Sequence, residues 1–213
     1  MKKTLIWLFA WGAAFGYLEA AVVVYLRAIY YPEGFTFPLT LMEGRILWTE
    51  IGREAATLLV LAATAVLSFP RLQSRMAAFV LLFGVWDIFY YVFLKLLLGW
   101  PQSLLTPDIL LLIPAPWVGP VYAPLLVSAG FIAAGTAVLV RNARGRVRAF
   151  GRSFVLLETA AGVLVVASFL FSGRSLGTTG LPEPFVWPLF ATGFLLGVGA
   201  FLYAFSRSDR TTG

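Results

Sequence analysis

Residues 119–140 run for twenty-two positions without a charged side chain. About twenty apolar residues in a helix cross the hydrocarbon core of a bilayer. A lipid-facing backbone must satisfy its own hydrogen bonds, so such a run has little choice but to be a spanning helix. Apolar runs at about 4–27, 47–69, 76–99, 153–172 and 185–205 complete a set of six expected spans. Composition agrees: 60% of the residues are hydrophobic and 12% charged, against about 25% charged in a soluble domain. The expected fold is all-α: one polytopic membrane domain over 1–213, with no polar stretch long enough for a soluble second domain. Met1-Lys2-Lys3 resembles the start of a signal peptide. The apolar run continues through Val24, too long for a signal core, and reads as a first span instead.

Basic residues set the expected orientation. The amino terminus, the 70–75 loop, the 141–152 loop and the tail hold eleven Lys and Arg, whereas the three alternate connections hold only Arg27, Arg45 and Arg174. The positive-inside rule then puts both termini in the cytoplasm of a bacterial inner membrane. The net charge of +6 follows this topological pattern, so nucleic acid is not an expected partner; the lipid bilayer is. There is no cysteine and no histidine. That excludes disulfides, thiol chemistry, Cys/His zinc sites and Ser–His or Cys–His nucleophile pairs. No cofactor and no metal is expected, and no catalytic residue can be assigned.

Residues 100–118, WPQSLLTPDILLLIPAPWV, are too apolar for an ordinary loop. Thr106-Pro107-Asp108 has the form of a helix start, with Thr as N-cap, Pro at the first position and an acid in the first turn. Pro114 would stop that helix early. The expectation is a short interfacial or re-entrant helix between the third and fourth spans.

The charges inside the spans carry the chemistry. Asp87 lies mid-way along the third span, with Tyr91 and Lys95 at successive spacings of four, so all three share a stripe. Asp87 and Lys95 each oppose insertion by up to ~3 kcal/mol, and fourteen Leu, Ile, Val and Phe residues return roughly 4–8 kcal/mol. Lys95 can snorkel from the helix end, but Asp87 must face the bundle interior. Glu50, Arg53 and Glu54 share a face at the start of the second span, and Glu19 lies well inside the first. Together Glu19, Glu50, Arg53, Glu54, Asp87, Tyr91 and Lys95 form the expected polar cluster, open to the extracytoplasmic side, with Arg27 at its edge. Trp48, Trp86 and Tyr90 are candidate lining residues. The bland alternative is a set of ion pairs, such as Asp87 with Arg53, that satisfy one another. Glu158 reads as an isolated acid near a helix start. Gly12 and Gly16, and Gly193 and Gly197, form two GxxxG faces suited to close helix packing, inside the chain, in a homo-oligomer or against a membrane-protein partner.

The runs FGYLEAAVVVYLR (15–27), EIGRE (50–54), WDIFYY (86–91) and LLLGWPQSLLTPDILLLIPAPWVGP (96–120) resemble an uncharacterised family of small polytopic bacterial inner-membrane proteins. The resemblance covers about residues 5–125. It implies location and attaches no activity.

Intramembrane charge points first to binding or transport of a cation, proton or small polar solute. The alternatives are an accessory subunit of a larger membrane complex, and a membrane-embedded enzyme acting on a lipid or isoprenoid with Glu54 and Asp87 as acid and base.

Overall fold

A computed structural model describes residues 1–210 except 41, 43, 148 and 149. Among the described residues, six helices are long and apolar enough to cross a membrane. They are α1 (Lys2–Tyr30), α2 (Gly44–Ser68), α3 (Leu72–Leu98), α4 (Tyr122–Ala143), α5 (Arg152–Gly173) and α7 (Trp187–Arg210), with a four-residue turn of helix, α6 (Leu176–Thr179), before the last. The ends follow local chemistry. Pro70 disfavours helical geometry at the residue before it, and α2 stops at Ser68. Gly99 closes α3 in the left-handed conformation at φ 65°, returning its N–H to the Lys95 carbonyl.

The expected short helix after α3 is not there. Residues Pro107–Leu111 (β1) and Trp117–Pro120 (β2) instead pair as an antiparallel hairpin, with Asp108 opposite Gly119 and Ile109 opposite Val118. The proline spacing explains the correction. A helix confined between Pro107 and Pro114 has under two turns over which to recover its nucleation cost, and it leaves most of its end groups unpaired. As a hairpin the same residues satisfy one another. Pro107 faces Pro120 at the end of the ladder, where neither needs an N–H. Thr106 does not cap forward; its hydroxyl accepts the Ser103 N–H behind it at 3.1 Å, while its carbonyl accepts the Val121 N–H at 3.1 Å. This pairing also delays α4 to Tyr122, three residues after the expected start at 119.

A lone hairpin is marginal without support, and here β2 lies on α5. A Cβ at Gly119 would fall 2.6 Å from the Phe169 ring, so only glycine lets that ring press against the strand. The residues at this end lock together: the Leu39 N–H donates to the Gly180 carbonyl at 2.7 Å, and the Glu183 N–H to the Ser172 carbonyl at 2.8 Å.

Helix α3 is the hub and packs against α1, α2 and α4, while α5 pairs with α7. Small residues make the approaches. Gly12 and Gly16 of α1 face Val85 and the Trp86 carbonyl of α3. Gly193 of α7 faces the Ala161 carbonyl of α5, and Gly197 faces the Ala161 side chain. Both GxxxG faces are therefore occupied within the chain. A dry core of Leu61, Ala78, Leu81, Leu82, Val85 and Leu139 fills the half of the bundle away from the hairpin. The outer surface is the reverse of a soluble protein's. Trp7, Leu67, Leu156 and Leu195 are each two-thirds or more exposed.

Candidate functional site: carboxylates beneath the hairpin

The first group of charges joins α1 to α2. Arg53 lies between Glu19 and Glu50. Its Nη1 pairs with Glu19 Oε1, and its Nε and Nη2 both reach Glu50 Oε2 at 2.8 Å. The i, i+3 spacing on α2 makes the Glu50 contact local. The other requires α1 to present Glu19 at the same height, where Thr57 also donates to it at 3.3 Å. One cation thus serves two carboxylates, Glu50 buried and Glu19 half-buried.

The second group joins α1, α3 and the hairpin. Asp108 on β1 is 2% exposed. It pairs with Arg27 Nη2 at 3.6 Å and accepts the Tyr91 hydroxyl at 3.1 Å. The Arg27 guanidinium lies over the Trp100 ring at 3.9 Å and near Phe35 at 4.6 Å. Aromatic faces stabilise a cation where water is scarce. Arg27 is 8% exposed, so it is buried within the cluster at whose edge it was expected.

Two further acids, Glu54 and Asp87, take part in no ion pair among the described residues. Both oxygens of Glu54 accept the Leu112 N–H, at 3.0 and 2.8 Å, which ties the hairpin down over α2. Asp87 accepts the Ser128 hydroxyl of α4 at 2.8 Å and is near enough to Asp108 for the two carboxylates to repel each other. Tyr90 lies between the groups and feels the charges of Asp108, Arg27, Glu19 and Arg53.

The structure therefore gathers Glu19, Glu50, Arg53, Glu54, Asp87 and Tyr91 at the hairpin end of the bundle. Two expectations change. Lys95 is outside the cluster: its Nζ donates to the Gly99 and Pro101 carbonyls at 3.0 and 2.8 Å, closing its own helix end. Asp87 does not pair with Arg53, because Glu19 and Glu50 already occupy that guanidinium. The hairpin lies over part of the cluster, through the Leu112 N–H on Glu54 and through Asp108. Trp48 is 71% exposed and points away, and Trp86 belongs to the apolar core. Glu158 stays apart, on α5 beside Gly197.

Sequence reasoning missed Asp108, Ser128 and the Leu112 N–H. A signal existed for the first: Asp108 is the one acid in the apolar stretch from Trp100 to Val118, and an acid so placed needs a buried cation or a proton.

Burial holds the Asp108 carboxyl at about 6, above its ordinary value, although Arg27 and the Tyr91 hydroxyl act in the opposite direction. The folded chain then binds this proton more tightly than the unfolded chain. Its contribution to stability is fully present below about pH 4 and is lost as the pH rises through about 6. A shift of about two units corresponds to a loss of up to about 3 kcal/mol over that window. Unfolding of Asp108→Asn and the parent protein in detergent, compared between pH 4 and 7, should show the difference between them changing by this amount. A constant difference would mean that the carboxyl does not titrate there.

No protein-family model, curated protein or solved structure matches this chain, so the functional reading rests on the geometry.

Proposed function

We propose that this is a polytopic protein of the bacterial inner membrane, both termini cytoplasmic, that binds a small cation in exchange for protons. The site is the carboxylate cluster in the outer half of the bilayer, beneath the hairpin. The observation that carries the reading is an imbalance of charge. Among the described residues the acids Glu19, Glu50, Glu54, Asp87 and Asp108 share two paired cations, Arg27 and Arg53; the hydrogen bonds to Glu54 and Asp87 come from neutral donors, and Arg53 acts on Glu54 only from beyond ion-pair distance. Desolvated anions of this kind must take up protons or another cation. Among the described residues no three acids converge as metal ligands do. That favours an organic ammonium, which can use separate acceptors, as the cation that displaces the protons.

The test is proton release. The protein, in nanodiscs and weak buffer, is mixed in turn with sodium, potassium and methylammonium while the pH is followed. The parent should release protons to at least one of these ions. Glu54→Gln and Asp87→Asn should each remove most of that release. No release with any probe, or unchanged release from both variants, would overturn the proposal.

One observation favours a second reading, an accessory subunit of a larger membrane complex. The dry core around Leu61, Leu81, Leu82 and Leu139 closes the other half of the bundle, so a complete path would need another chain. Gentle extraction and native mass spectrometry separate the readings: a stoichiometric protein partner supports the second, and a protein that flies alone or with itself supports the first.

A further inference from the structure

At the opposite end of the bundle a cleft of about 650 Å³ runs along α4 between α1 and α7. Its wall is apolar except for Thr136, formed otherwise by Phe9, Ile132, Ala133, Ala137, Val140 and Phe205. Its mouth is basic: Arg141, Arg144 and Arg146 line that end. From Ile132 to Arg144 the helix rises ~18 Å, more than half of a hydrocarbon core of about 30 Å. This is the form of a groove for a chain rather than a pocket for a compact solute. Arg141 is buried, and its guanidinium lies over the Phe205 ring at 4.4 Å. Arg144 and Arg146 are exposed, and none of the ion pairs among the described residues involves them. The segment 141–152 carries five arginines and no acid.

We infer that this cleft binds one anionic phospholipid, its acyl chain along α4 and its phosphate against Arg144 and Arg146. The topological role of the arginines accounts for their number at this end. It does not account for two of them standing at the mouth of an apolar groove. A long, largely apolar wall ending in exposed guanidinium groups matches an amphiphile with one apolar tail direction and an anionic head, and basic recesses between helices are a recurrent site for such headgroups. Guanidinium also forms paired hydrogen bonds to phosphate oxygens, which an ammonium does not.

The experiment is lipid retention, read by native mass spectrometry after stepwise delipidation. Dioleoylphosphatidylglycerol competes with dioleoylphosphatidylcholine on the intact protein. The parent should keep one phosphatidylglycerol in preference to phosphatidylcholine. Arg144→Gln with Arg146→Gln should reduce that preference by roughly thirtyfold, from the usual worth of a basic residue near an anionic lipid. Ala133→Phe provides the second arm. It fills the exposed groove without touching an arginine, and it should also release the lipid. Retention that depends on the arginines but survives Ala133→Phe would mean diffuse surface attraction and overturn the inference. So would equal retention of both lipids, or displacement of the lipid by millimolar inorganic phosphate, which would make free phosphate the ligand. A melting curve on each variant confirms that the bundle is intact.

Discussion

Arg53→Leu should cost about 2–4 kcal/mol, somewhat below the usual loss when one partner of a fully buried ion pair is removed, because Arg53 and Glu19 are half-buried. Total stabilities are commonly about 5–15 kcal/mol, so much of the folded population in detergent is at risk. The reason lies in what remains. Glu19 and Glu50 would keep their places on α1 and α2 with no cation between them, and Glu54 is close enough to repel both. Arg53→Lys should rescue only in part. It restores the charge but not the fork that brings Nε and Nη2 to one Glu50 oxygen while Nη1 reaches Glu19. The triple change Glu19→Gln, Glu50→Gln, Arg53→Leu should recover most of the loss, because replacing a whole buried ionic group is often neutral. Equilibrium unfolding of all three variants in one detergent checks the order. If Arg53→Leu matches the parent protein, the guanidinium is not what holds α1 against α2. The triple variant also separates fold from function: it should be folded, and its proton release should be reduced.

The same cluster marks how far the sequence could be read. Long apolar runs located six helices to within a few residues, because a bilayer-length helix is dictated by local composition. Helical spacing correctly put Glu50 and Arg53 together, since an i, i+3 pair needs no knowledge of the rest of the fold. The stripe Asp87, Tyr91, Lys95 shows the limit. Periodicity says which side chains share a face, but each of these three found its partner somewhere different: Ser128 on α4, Asp108 on the hairpin, and the carbonyls just beyond its own helix. Thr106-Pro107-Asp108 failed for a related reason. The three residues satisfy the local rules for a helix start, but the alternative was stabilised by a strand ten residues on and by Phe169 of α5, and contacts at that separation leave no local signature.

Packing and site meet at Gly84, where Gly84→Val should be the most damaging single change on α3. A Cβ there would lie 2.5 Å from the Ser128 carbonyl oxygen and 3.0 Å from Ile132 Cγ1. The first of these belongs to the backbone of α4, which cannot turn aside as a flexible side chain can. The helices must separate. Ser128 is also the residue whose hydroxyl reaches Asp87 at 2.8 Å, so the separation takes the donor away from a buried carboxylate. Overpacking costs typically about 1–3 kcal/mol, and losing a hydrogen bond to a charged group roughly 1.5–3 kcal/mol more. The expected total is about 3–5 kcal/mol. Ser128→Ala removes the hydrogen bond without adding bulk, so it should show only the second part. Gly52→Ala is the control, because a Cβ at that exposed α2 position meets nothing within 4 Å, and helix propensity alone would make it neutral or slightly stabilising. Thermal unfolding in detergent orders the three variants. If Ser128→Ala costs as much as Gly84→Val, the close approach of α3 and α4 matters only for delivering the hydroxyl to Asp87. If it costs nothing, Asp87 is satisfied without Ser128, and the tight contact around Gly84 is a packing device in its own right.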